Sequence, residues 1–360
     1  TFGCQMNEYD SAMIAESLES SGARPVESAE EADLIVVNTC SVRAKAEESV
    51  FNLIRNYEHL KRKNPLLRIA VVGCMAQSSA QEITQRAPYV DFIIGTDGYS
   101  GIATLLDSKA DQRPRISIGF DRLESYEGKS AKLLTPFSTM IAVQRGCNLR
   151  CSYCIVPLTR GPEKYRQPDD LLREARAAVK RGVVELTLLG QTVNGYRYEE
   201  MRFADLLHKL AEIPGLERIR FTSPHPIHFS DRLIKTIGEL PQVCKHLHLP
   251  LQSGSNRILS EMRRIYTREK FLEIVEKLRS AAPEIALSTD LIAGFPGETE
   301  EEFEETLSAM KQIRFDGAFM FAYSERPGTE AAEWEEQLSE EEKNSRLQRM
   351  IELQNRITIE

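Results

Sequence analysis

The chain has 360 residues, a length typical of two or three domains rather than one. Hydrophobic residues make up 41% and charged residues 28% of the chain, a composition that excludes disordered and fibrous proteins. No apolar run reaches the roughly 18 residues of a membrane-spanning helix, and the polar, acidic start shows no secretory signal. We therefore expect a cytoplasmic protein with no membrane partner.

The net charge of −8 argues at first against a nucleic-acid partner, whose phosphates attract Lys and Arg. Two segments, 298–305 and 330–342, hold thirteen Glu and neither Lys nor Arg, and we interpret them as solvated helix faces. Without these thirteen charges the remainder of the chain carries +5. The charge therefore does not exclude RNA as a partner.

Alternating strands and helices are predicted in the first hundred residues, which indicates βαβ units on a parallel sheet. The predicted strands are Leu34–Val37, Ile69–Val72 and Val90–Ile94. The predicted helices are Ser11–Ser21 and Lys45–Lys63. A passage rich in Ser, Asp and Lys follows, from Ser108 to about Ala131, and we expect a linker or a surface excursion there.

A second alternating series predicts a partial barrel of six strand–helix units, with its chemistry at the carboxyl ends of the strands. Its predicted strands are Met140–Val143, Glu185–Leu189, Arg218–Thr222, His246–Leu251, Ala286–Ile292 and Ala318–Tyr323. Its predicted helices are Asp169–Arg181, Phe203–Ile213, Asp231–Leu240, Thr267–Ala281 and Glu301–Ile313. The expected fold class is α/β, with a sheet domain at 1–115, a linker at 116–135, the barrel at 136–330 and a helical tail at 331–360.

Cys147, Cys151 and Cys154 form a C-x3-C-x2-C pattern directly after a predicted strand. This spacing also places residues on one helix face, but Gly146 and Pro157 on either side favour a loop. Structural zinc needs four ligands and fits three thiols poorly. Three thiolates suit an iron–sulfur cube with one iron open to a substrate. We therefore favour a cluster site over buried or zinc-bound cysteines.

Cys4, Cys40 and Cys74 each stand at the end of a candidate strand, the first of them spanning residues 1–4. Parallel strands end at one edge of a sheet, so these three thiols are expected to converge there as a second cluster site. The alternative is that each cysteine only completes a buried strand. Cys244 is predicted to be a core residue. His246 and His248 share one strand face and are predicted to be packed or hydrogen-bonded.

The loop around Cys147, with Tyr153 before its third cysteine, resembles the cluster loop of radical S-adenosylmethionine (SAM) enzymes. The segments around Cys4, Cys40 and Cys74 resemble the methylthiotransferase branch of that superfamily. Matching stretches run through nearly the whole chain, among them CIVPLTRG, LLGQTVN, LPLQSGS, DLIAGFPGET and YSERPGT. The stretch QMNEYD after Cys4 is most similar to the MiaB-type tRNA methylthiotransferases.

This resemblance implies that Cys147, Cys151 and Cys154 hold a [4Fe-4S] cluster whose open iron binds SAM. Reduction of SAM would release methionine and a 5′-deoxyadenosyl radical. The other triad would hold an auxiliary [4Fe-4S] cluster concerned with sulfur delivery. The implied product is a 2-methylthio group on the isopentenyladenosine at position 37, in the anticodon loop of tRNA. A low-potential electron donor and a sulfur source are the further partners.

The resemblance also implies contacts to SAM and to tRNA. Those to SAM are expected from Tyr153, Gly190, Gln191, Asn194, Asp290, Ile292 and Gly294. Those to tRNA are expected from Arg160, Lys164 and Arg166. Arg263 and Arg264 are a second basic pair, and scattered surface charge is the alternative for all five basic residues.

The chain departs from the family pattern at two positions, Tyr165 and Thr192, where Ser and Asn are usual. The first makes the tRNA contacts near Arg166 less secure, and the second does so for the SAM contacts. A C-terminal RNA-binding TRAM domain is expected in this family and is apparently absent from the chain.

Two alternative functions stay open. One is a sister methylthiotransferase acting on threonylcarbamoyl-adenosine or a ribosomal protein, and the other is a structural metal-binding RNA module.

Overall fold

The computed structural model describes residues 1–41, 44–105, 114–120, 126, 128, 131, 133 and 135–360. The chain forms two compact units. Unit 1 comprises Thr1–Pro136, Met140–Asn148 and Ile155–Arg166, and unit 2 comprises Phe137–Thr139, Leu149–Cys154 and Gln167–Glu360. Both units combine parallel strands with helices, which confirms the predicted α/β class. Within the described ranges, no helix is both long and apolar enough to span a bilayer.

Unit 1 is built on a four-stranded parallel sheet in the order β1–β2–β3–β4. The first strands are β1 (Leu34–Thr39), β2 (Arg68–Gly73), β3 (Phe92–Ile94), β4 (Arg115–Ser117), β5 (Ser138–Ala142), β6 (Gln144–Arg145) and β7 (Lys164–Tyr165). The first helices are α1 (Gln5–Ser20), α2 (Ala44–Lys63), α3 (Cys74–Ser78), α4 (Ala80–Arg86) and α5 (Val156–Arg160). Strands β6 and β7 pair antiparallel.

Apolar side chains cover both faces of the sheet in unit 1, which explains why its strands are nearly continuous apolar runs. On one face, Ile69 and Val71 of β2 pack with Val50 and Ile54 of α2. On the other face, alternate residues of β2 pack with Ile14 of α1 and Ile102. Burial on both sides therefore fixes the register of β1 against β2, from Leu34 opposite Arg68 to Thr39 opposite Gly73.

One prediction for this unit is wrong. Residues 1–4 form no strand, because Gly3 has φ +120° and helix α1 begins at Gln5. The passage expected as a linker contains strand β4, which pairs in parallel with β3. The rest of that passage lies largely outside the described residues.

Unit 2 contains most of the predicted partial barrel, with β8 and β11 in one sheet and β12, β13 and β14 in a second. The remaining barrel strand, β5, has residues 138–139 in unit 2 and residues 140–142 in unit 1. Its strands are β8 (Glu185–Leu189), β9 (Arg197–Tyr198), β10 (Met201–Arg202), β11 (Arg218–Phe221), β12 (His246–His248), β13 (Ala286–Ala293) and β14 (Gly317–Ala322). An isolated parallel bridge between Ile219 and Val243 continues the strand order from β11 towards β12. The six strands predicted for the barrel are therefore confirmed.

Helices follow the barrel strands as the βαβ pattern predicts. They are α6 (Pro168–Lys180), α7 (Phe203–Ala211), α8 (Asp231–Glu239), α9 (Asn256–Glu261), α10 (Arg268–Ala281), α11 (Glu300–Ile313) and α12 (Glu340–Ile359). Helix α12, the predicted tail, packs against β13, β14 and α11. Arg346 of α12 donates to Glu298 Oε2 at 2.9 Å, and this carboxylate is buried. The acidic segment 298–305 is therefore not solvated throughout, contrary to our expectation, because Glu298 is buried and paired with Arg346.

Unit 1 also contains a buried ion pair between Lys61 and Asp91. Lys61 Nζ lies 2.7 Å from Asp91 Oδ2, and the side chains are 7% and 4% exposed. The same carboxylate accepts the backbone N–H of Ile69 at 2.8 Å, which ties the end of α2 to the sheet.

We expect Lys61→Met to lower the free energy of unfolding by about 3–5 kcal/mol, because it leaves Asp91 charged and buried without its cation. The matched control is Arg62→Met, whose side chain is 77% exposed and whose ion pair contributes less than about 1 kcal/mol. Urea unfolding followed by circular dichroism measures both. Equal midpoints for the two variants would contradict the expected role of the pair.

Candidate metal centres and cofactor site

The first three cysteines gather at one edge of the sheet in unit 1. Cys40 directly follows β1, and Cys74 opens α3 directly after β2. Because these strands are parallel neighbours, both residues leave the sheet at the same edge. Cys4 is the residue before helix α1 and is exposed, whereas Cys40 and Cys74 are buried. The convergence predicted for this triad is therefore compatible with the fold, although Cys4 arrives from a loop.

Two glycines allow this close approach. A Cβ atom on Gly3 would lie 2.7 Å from the Cβ of Cys40, so any side chain there would push Cys4 away. A Cβ atom on Gly73 would lie 2.5 Å from Asn38 Oδ1 and 2.6 Å from the carbonyl oxygen of Thr39. Both glycines also have positive φ, which other residues adopt only with strain. Small residues therefore bring the segments around Cys4, Cys40 and Cys74 together.

The Asn7 side chain joins α1 to the end of β1. Its amide nitrogen donates to Asn38 Oδ1 at 3.1 Å and to the Thr39 carbonyl at 2.8 Å. Its carbonyl oxygen accepts from Cys4 Sγ at 3.4 Å. Asn38 returns a hydrogen bond to the backbone carbonyl of Asn7 at 2.9 Å. Each bond lies beside a cysteine of the triad, so Asn7 fixes the mutual position of these segments.

Arg160 is buried beside the same triad. Its Nε donates to Cys74 Sγ at 3.2 Å, Nη1 to Asp10 Oδ2 at 2.6 Å and Nη2 to Asn7 Oδ1 at 3.1 Å. Burial raises the pKa of the Cys74 thiol, and the Arg160 guanidinium opposes that rise. Burial disfavours the charge of Arg160 itself, but Asp10 and Cys74 raise its pKa well above the ordinary value.

The structure therefore changes the interpretation of the basic residues expected at tRNA. Arg160 is 3% exposed and contacts Asp10, so a phosphate contact is not supported for it. Arg166 is also 3% exposed and donates to Tyr9 Oη and the Ala142 carbonyl, each at 3.2 Å. Lys164 is half-buried, and its Nζ lies 2.6 Å from Asp97 Oδ2. Sequence reasoning missed these interior partners because they lie far away along the chain.

The Cys147 loop is neither helix nor strand from residue 146 to residue 155, as predicted. The division between the two units falls inside it: Cys147 belongs to unit 1, and Cys151 and Cys154 belong to unit 2. Cys147 donates its backbone N–H to the Gly161 carbonyl at 3.0 Å, next to the β6–β7 pair. In unit 2, the Cys154 N–H donates to the Cys151 carbonyl at 3.0 Å.

Within unit 2, Ser152 and Arg264 hold the second half of the loop. Ser152 Oγ donates to the Glu261 carbonyl at 2.7 Å, and the Ser152 carbonyl accepts the N–H of Ala331 at 2.9 Å. Arg264 Nη1 donates to Cys151 Sγ at 3.6 Å, and its Nε donates to Tyr266 Oη at 3.0 Å. Arg264 thus contacts a candidate cluster ligand. The sequence had suggested instead that Arg263 and Arg264 form a basic pair for tRNA.

The remaining residues expected near SAM fall into two groups. Gly190, Gln191 and Asn194 follow β8, where Gly190 and Asn194 are buried and Gln191 is half-buried. The Asn194 amide exchanges two hydrogen bonds with the His225 backbone, at 3.0 and 2.7 Å. Asn194 therefore fixes the adjoining loop at the carboxyl ends of β8 and β11.

The second group lies at the end of β13. Ile292 and Tyr153 pack in one apolar cluster with Phe295. Asp290 Oδ2 lies 3.1 Å from His248 Nε2, and the Gly294 N–H donates to Glu298 at 2.8 Å. Tyr153 and the strand-end residues of β13 are thus brought together in unit 2.

The three remaining residues singled out in the sequence are Cys244, His246 and His248. Cys244 is predicted to be a core residue but is half-buried, and its backbone N–H donates to the carbonyl of Ile219 in β11 at 3.1 Å. His246 is exposed, so packing, the first of the two alternatives predicted for it, is wrong. His248 is hydrogen-bonded as predicted, through Nδ1 to Ser288 Oγ at 3.0 Å and through Nε2 to Asp290.

The donor sets of both triads fit iron–sulfur clusters, since each consists of soft thiol ligands alone. Gly3 and Gly73 form a cradle for the first triad that a Cβ atom would fill. Among the described residues, no three His, Cys, Asp or Glu side chains have the close spacing that one metal ion requires. Thiolates of a cubane bind separate irons and stand farther apart, so the cluster assignment is retained as a proposal.

Gly73→Ala is expected to prevent the auxiliary cluster from forming, because the new Cβ displaces the ends of β1 and β2 at Asn38 and Thr39. After anaerobic reconstitution, we expect iron to fall from about eight to about four atoms per chain. Gly101→Ala is the control, since no atom lies within 4 Å of its Cβ position. Full iron content in Gly73→Ala would refute this role.

His225 predicts a pH dependence of stability. Burial, followed by the charge of Arg264, lowers the pKa of His225 from 6.5 to about 2. Below pH 6.5 the unfolded chain therefore binds a proton that the folded chain excludes, and stability falls as the pH decreases. Between pH 7 and pH 5 this group alone lowers the free energy of unfolding by about 2 kcal/mol.

His225→Asn is expected to flatten this dependence while keeping an acceptor for the Ile227 N–H, which His225 Nδ1 accepts at 3.3 Å. His59→Asn, at an exposed position in unit 1, is the control and leaves the dependence unchanged. Urea unfolding at both pH values measures the difference. A slope in His225→Asn equal to that of the parent chain would show that His225 does not cause it.

Comparison with known proteins relates both units to described families. The model of the Radical SAM superfamily matches residues 141–310, and that of Uncharacterized protein family UPF0004 matches residues 1–95. A protein named tRNA-2-methylthio-N(6)-dimethylallyladenosine synthase from Moorella thermoacetica is 46% identical, covering 100% of this chain and 82% of its own. A protein of the same name from Thermobifida fusca is also 46% identical, covering 100% and 74%.

Solved structures show the same fold at low identity. The radical S-adenosylmethionine methyltransferase TsrM from Kitasatospora setae, with cobalamin and a [4Fe-4S] cluster bound, gives a TM-score of 0.68 at 14% identity. The match covers 90% of this chain and 71% of TsrM. These two relatives, which match the chain along its whole length, confirm the resemblance seen in the sequence. The chain belongs to the family of tRNA-2-methylthio-N(6)-dimethylallyladenosine synthases, within the radical SAM superfamily.

Proposed function

We propose that this chain adds a methylthio group to C2 of N6-isopentenyladenosine in tRNA, using SAM and two [4Fe-4S] clusters. One observation carries this proposal: relatives with that name match the chain along its whole length at 46% identity. A structural metal-binding RNA module is not supported, since the relatives are enzymes. Position 37 of the anticodon loop, a low-potential electron donor and a sulfur source complete the proposal.

The two cysteine triads have separate tasks in this proposal. Cys147, Cys151 and Cys154 hold the cluster that binds SAM, and Cys4, Cys40 and Cys74 hold the auxiliary cluster. When bound, SAM would supply the methyl group and the radical that removes a hydrogen atom from an aromatic C–H, and the auxiliary cluster would serve in the delivery of sulfur. The protein orients the reactants and excludes water, for which the buried surroundings of Tyr153 and Ile292 are suited.

The inner face of the barrel offers a surface for the modified base. His248, Asp290 and Phe319 lie side by side on β12, β13 and β14. Asp290 Oδ2 lies 3.1 Å from His248 Nε2, and the ring centroids of His248 and Phe319 are 5.7 Å apart. Phe319 stands opposite Asp290 in the register and is 58% exposed, and Phe321 stands opposite Ile292. Exposed aromatic rings stack on unpaired bases, and they also accept an apolar isopentenyl group. We therefore propose that the base lies against Phe319 and Phe321.

The residues around SAM act mainly by positioning. Tyr153 packs edge-on against Phe295, with their ring centroids 6.2 Å apart, which fixes an aromatic ring within the cluster loop. We propose that this ring contacts the adenine of SAM. Gly190, Gln191, Asn194, Asp290, Ile292 and Gly294 remain proposed contacts at the ends of β8 and β13. Asp290 and His248 form a polar pair on the inner face, suited to hydroxyl groups.

The test is product formation on defined tRNA. Full chain reconstituted with iron and sulfide is incubated anaerobically with SAM, a low-potential reductant and tRNA carrying isopentenyladenosine. Nucleoside mass spectrometry is expected to show the methylthio mass on that nucleoside. Cys151→Ala and Cys74→Ala are each expected to abolish the product, since each removes one cluster ligand. Cys244→Ala is the control for loss of a thiol and retains the product.

Parallel reactions with unmodified tRNA and with threonylcarbamoyl-adenosine tRNA define the substrate. Modification of the threonylcarbamoyl substrate alone would replace the proposal with the sister enzyme. Zinc occupancy without iron would overturn the radical mechanism. Isotopically labelled sulfide added to the reaction distinguishes an external sulfur source from sulfur of the auxiliary cluster.

A further inference from the structure

The proposed reaction assigns no role to the buried side chain of Arg160. It lies within unit 1, at the end of α5, six residues after the last cysteine of the radical SAM motif. Its guanidinium contacts the other cysteine triad, through the 3.2 Å bond from Nε to Cys74 Sγ. The side chain is 3% exposed, so water does not screen this contact.

The three nitrogens of Arg160 have separate acceptors. Nη1 donates to Asp10 and Nη2 to Asn7, which leaves the Nε–H directed at the sulfur. Asp10 is held in turn by the Tyr126 hydroxyl at 2.5 Å and the Tyr99 hydroxyl at 3.5 Å. Because a guanidinium is planar and its donors are fixed relative to each other, the bonds to Asp10 and Asn7 determine where Nε points.

A hydrogen bond from a cation to a ligand sulfur has a defined effect on an iron–sulfur cluster. It stabilises negative charge on the sulfur, and the reduced cluster carries one more negative charge than the oxidised cluster. The bond therefore favours the reduced form and raises the reduction potential. A buried position strengthens this effect, since the local dielectric is low.

We propose that Arg160 is a positioning residue of the auxiliary cluster, which hydrogen-bonds Cys74 and raises the reduction potential of the cluster bound there. Asp10 and Asn7 orient Arg160, and Asp10 balances its charge. This inference rests on the proposed function, because it takes Cys74 as a cluster ligand. It assigns to Arg160 an electronic role in place of the tRNA contact expected from the sequence.

The test measures the reduction potential of the auxiliary cluster without tRNA. In a full chain carrying Cys147→Ala, Cys151→Ala and Cys154→Ala, the auxiliary cluster is observed alone. Redox titration followed by electron paramagnetic resonance gives its potential. The test variant adds Arg160→Gln with Asp10→Asn, so that neither member of the buried pair is left charged. Its potential is expected to be more negative than that of the background chain.

The control adds Lys61→Gln with Asp91→Asn to the same background, which neutralises the other buried ion pair described in unit 1. Lys61 and Asp91 bond to each other and to the backbone of Leu67 and Ile69, so their loss is expected to leave the potential unchanged. Equal shifts in the test and control variants would overturn the proposal, and so would no shift in the test variant.

If the double variant does not fold, Arg160→Lys provides the same test. Lysine keeps the positive charge beside Asp10, but its single ammonium cannot reproduce three fixed donors. A smaller shift of the same sign supports the proposal, and an unchanged potential and spectrum overturn it. Absence of iron from the background chain would instead refute the auxiliary cluster of the proposed function, so the two failures are distinguishable.

Discussion

The buried ion pair of Arg160 and Asp10 is the interaction on which the candidate auxiliary centre depends. Arg160 and Asp10 side chains are 3% and 0% exposed, so both charges have lost nearly all contact with water. Such a pair is tolerated only when the remaining donors and acceptors are satisfied. Asn7 and Cys74 accept from the guanidinium, and two tyrosine hydroxyls donate to the carboxylate. These hydrogen bonds therefore hold the two buried charges at fixed positions.

The network around Arg160 and Asp10 explains why the chain forms helix α1 directly after Cys4, although the sequence pattern predicted a strand at residues 1–4. Asn7 and Asp10 are three residues apart on α1, so a helix places both side chains on one face. An extended segment would direct them to opposite faces. The polar face of α1 then meets the ends of β1 and β2, where Asn7 bonds to Asn38 and Thr39. Helical structure from Gln5 onward is thus required by the same residues that locate Cys4.

The sequence predicts the parts of the fold that depend on local patterns. Apolar runs such as Ile69–Val72 indicate the strands because both faces of the sheet are covered, and the cysteine spacing at Cys147 indicates a loop. The partners of charged residues do not follow a local pattern. Asp10 and Arg160 are separated by 150 residues, and no periodicity connects them. Arg160 therefore resembled a surface residue until the fold placed it against Asp10.

Some of the missed residues did carry a local signal. Cys4, Asn7 and Asp10 follow one another at intervals of three, which on a helix indicates a polar stripe beginning at a cysteine. The first strand expected at residues 1–4 concealed this stripe. His225 had no comparable signal, because its low pKa arises from burial and from Arg264, which becomes a neighbour only when the barrel forms.

The two units provide the same type of contact to their cysteines. Arg160 donates to Cys74 Sγ at 3.2 Å in unit 1, and Arg264 donates to Cys151 Sγ at 3.6 Å in unit 2. Three thiolates with a cubane core carry net negative charge, and burying that charge without a nearby cation is costly. A guanidinium suits this task better than an ammonium, since it remains protonated and offers several directed donors. Net negative composition therefore does not prevent the chain from stabilising anionic centres, because single buried arginines act locally where the cysteines gather.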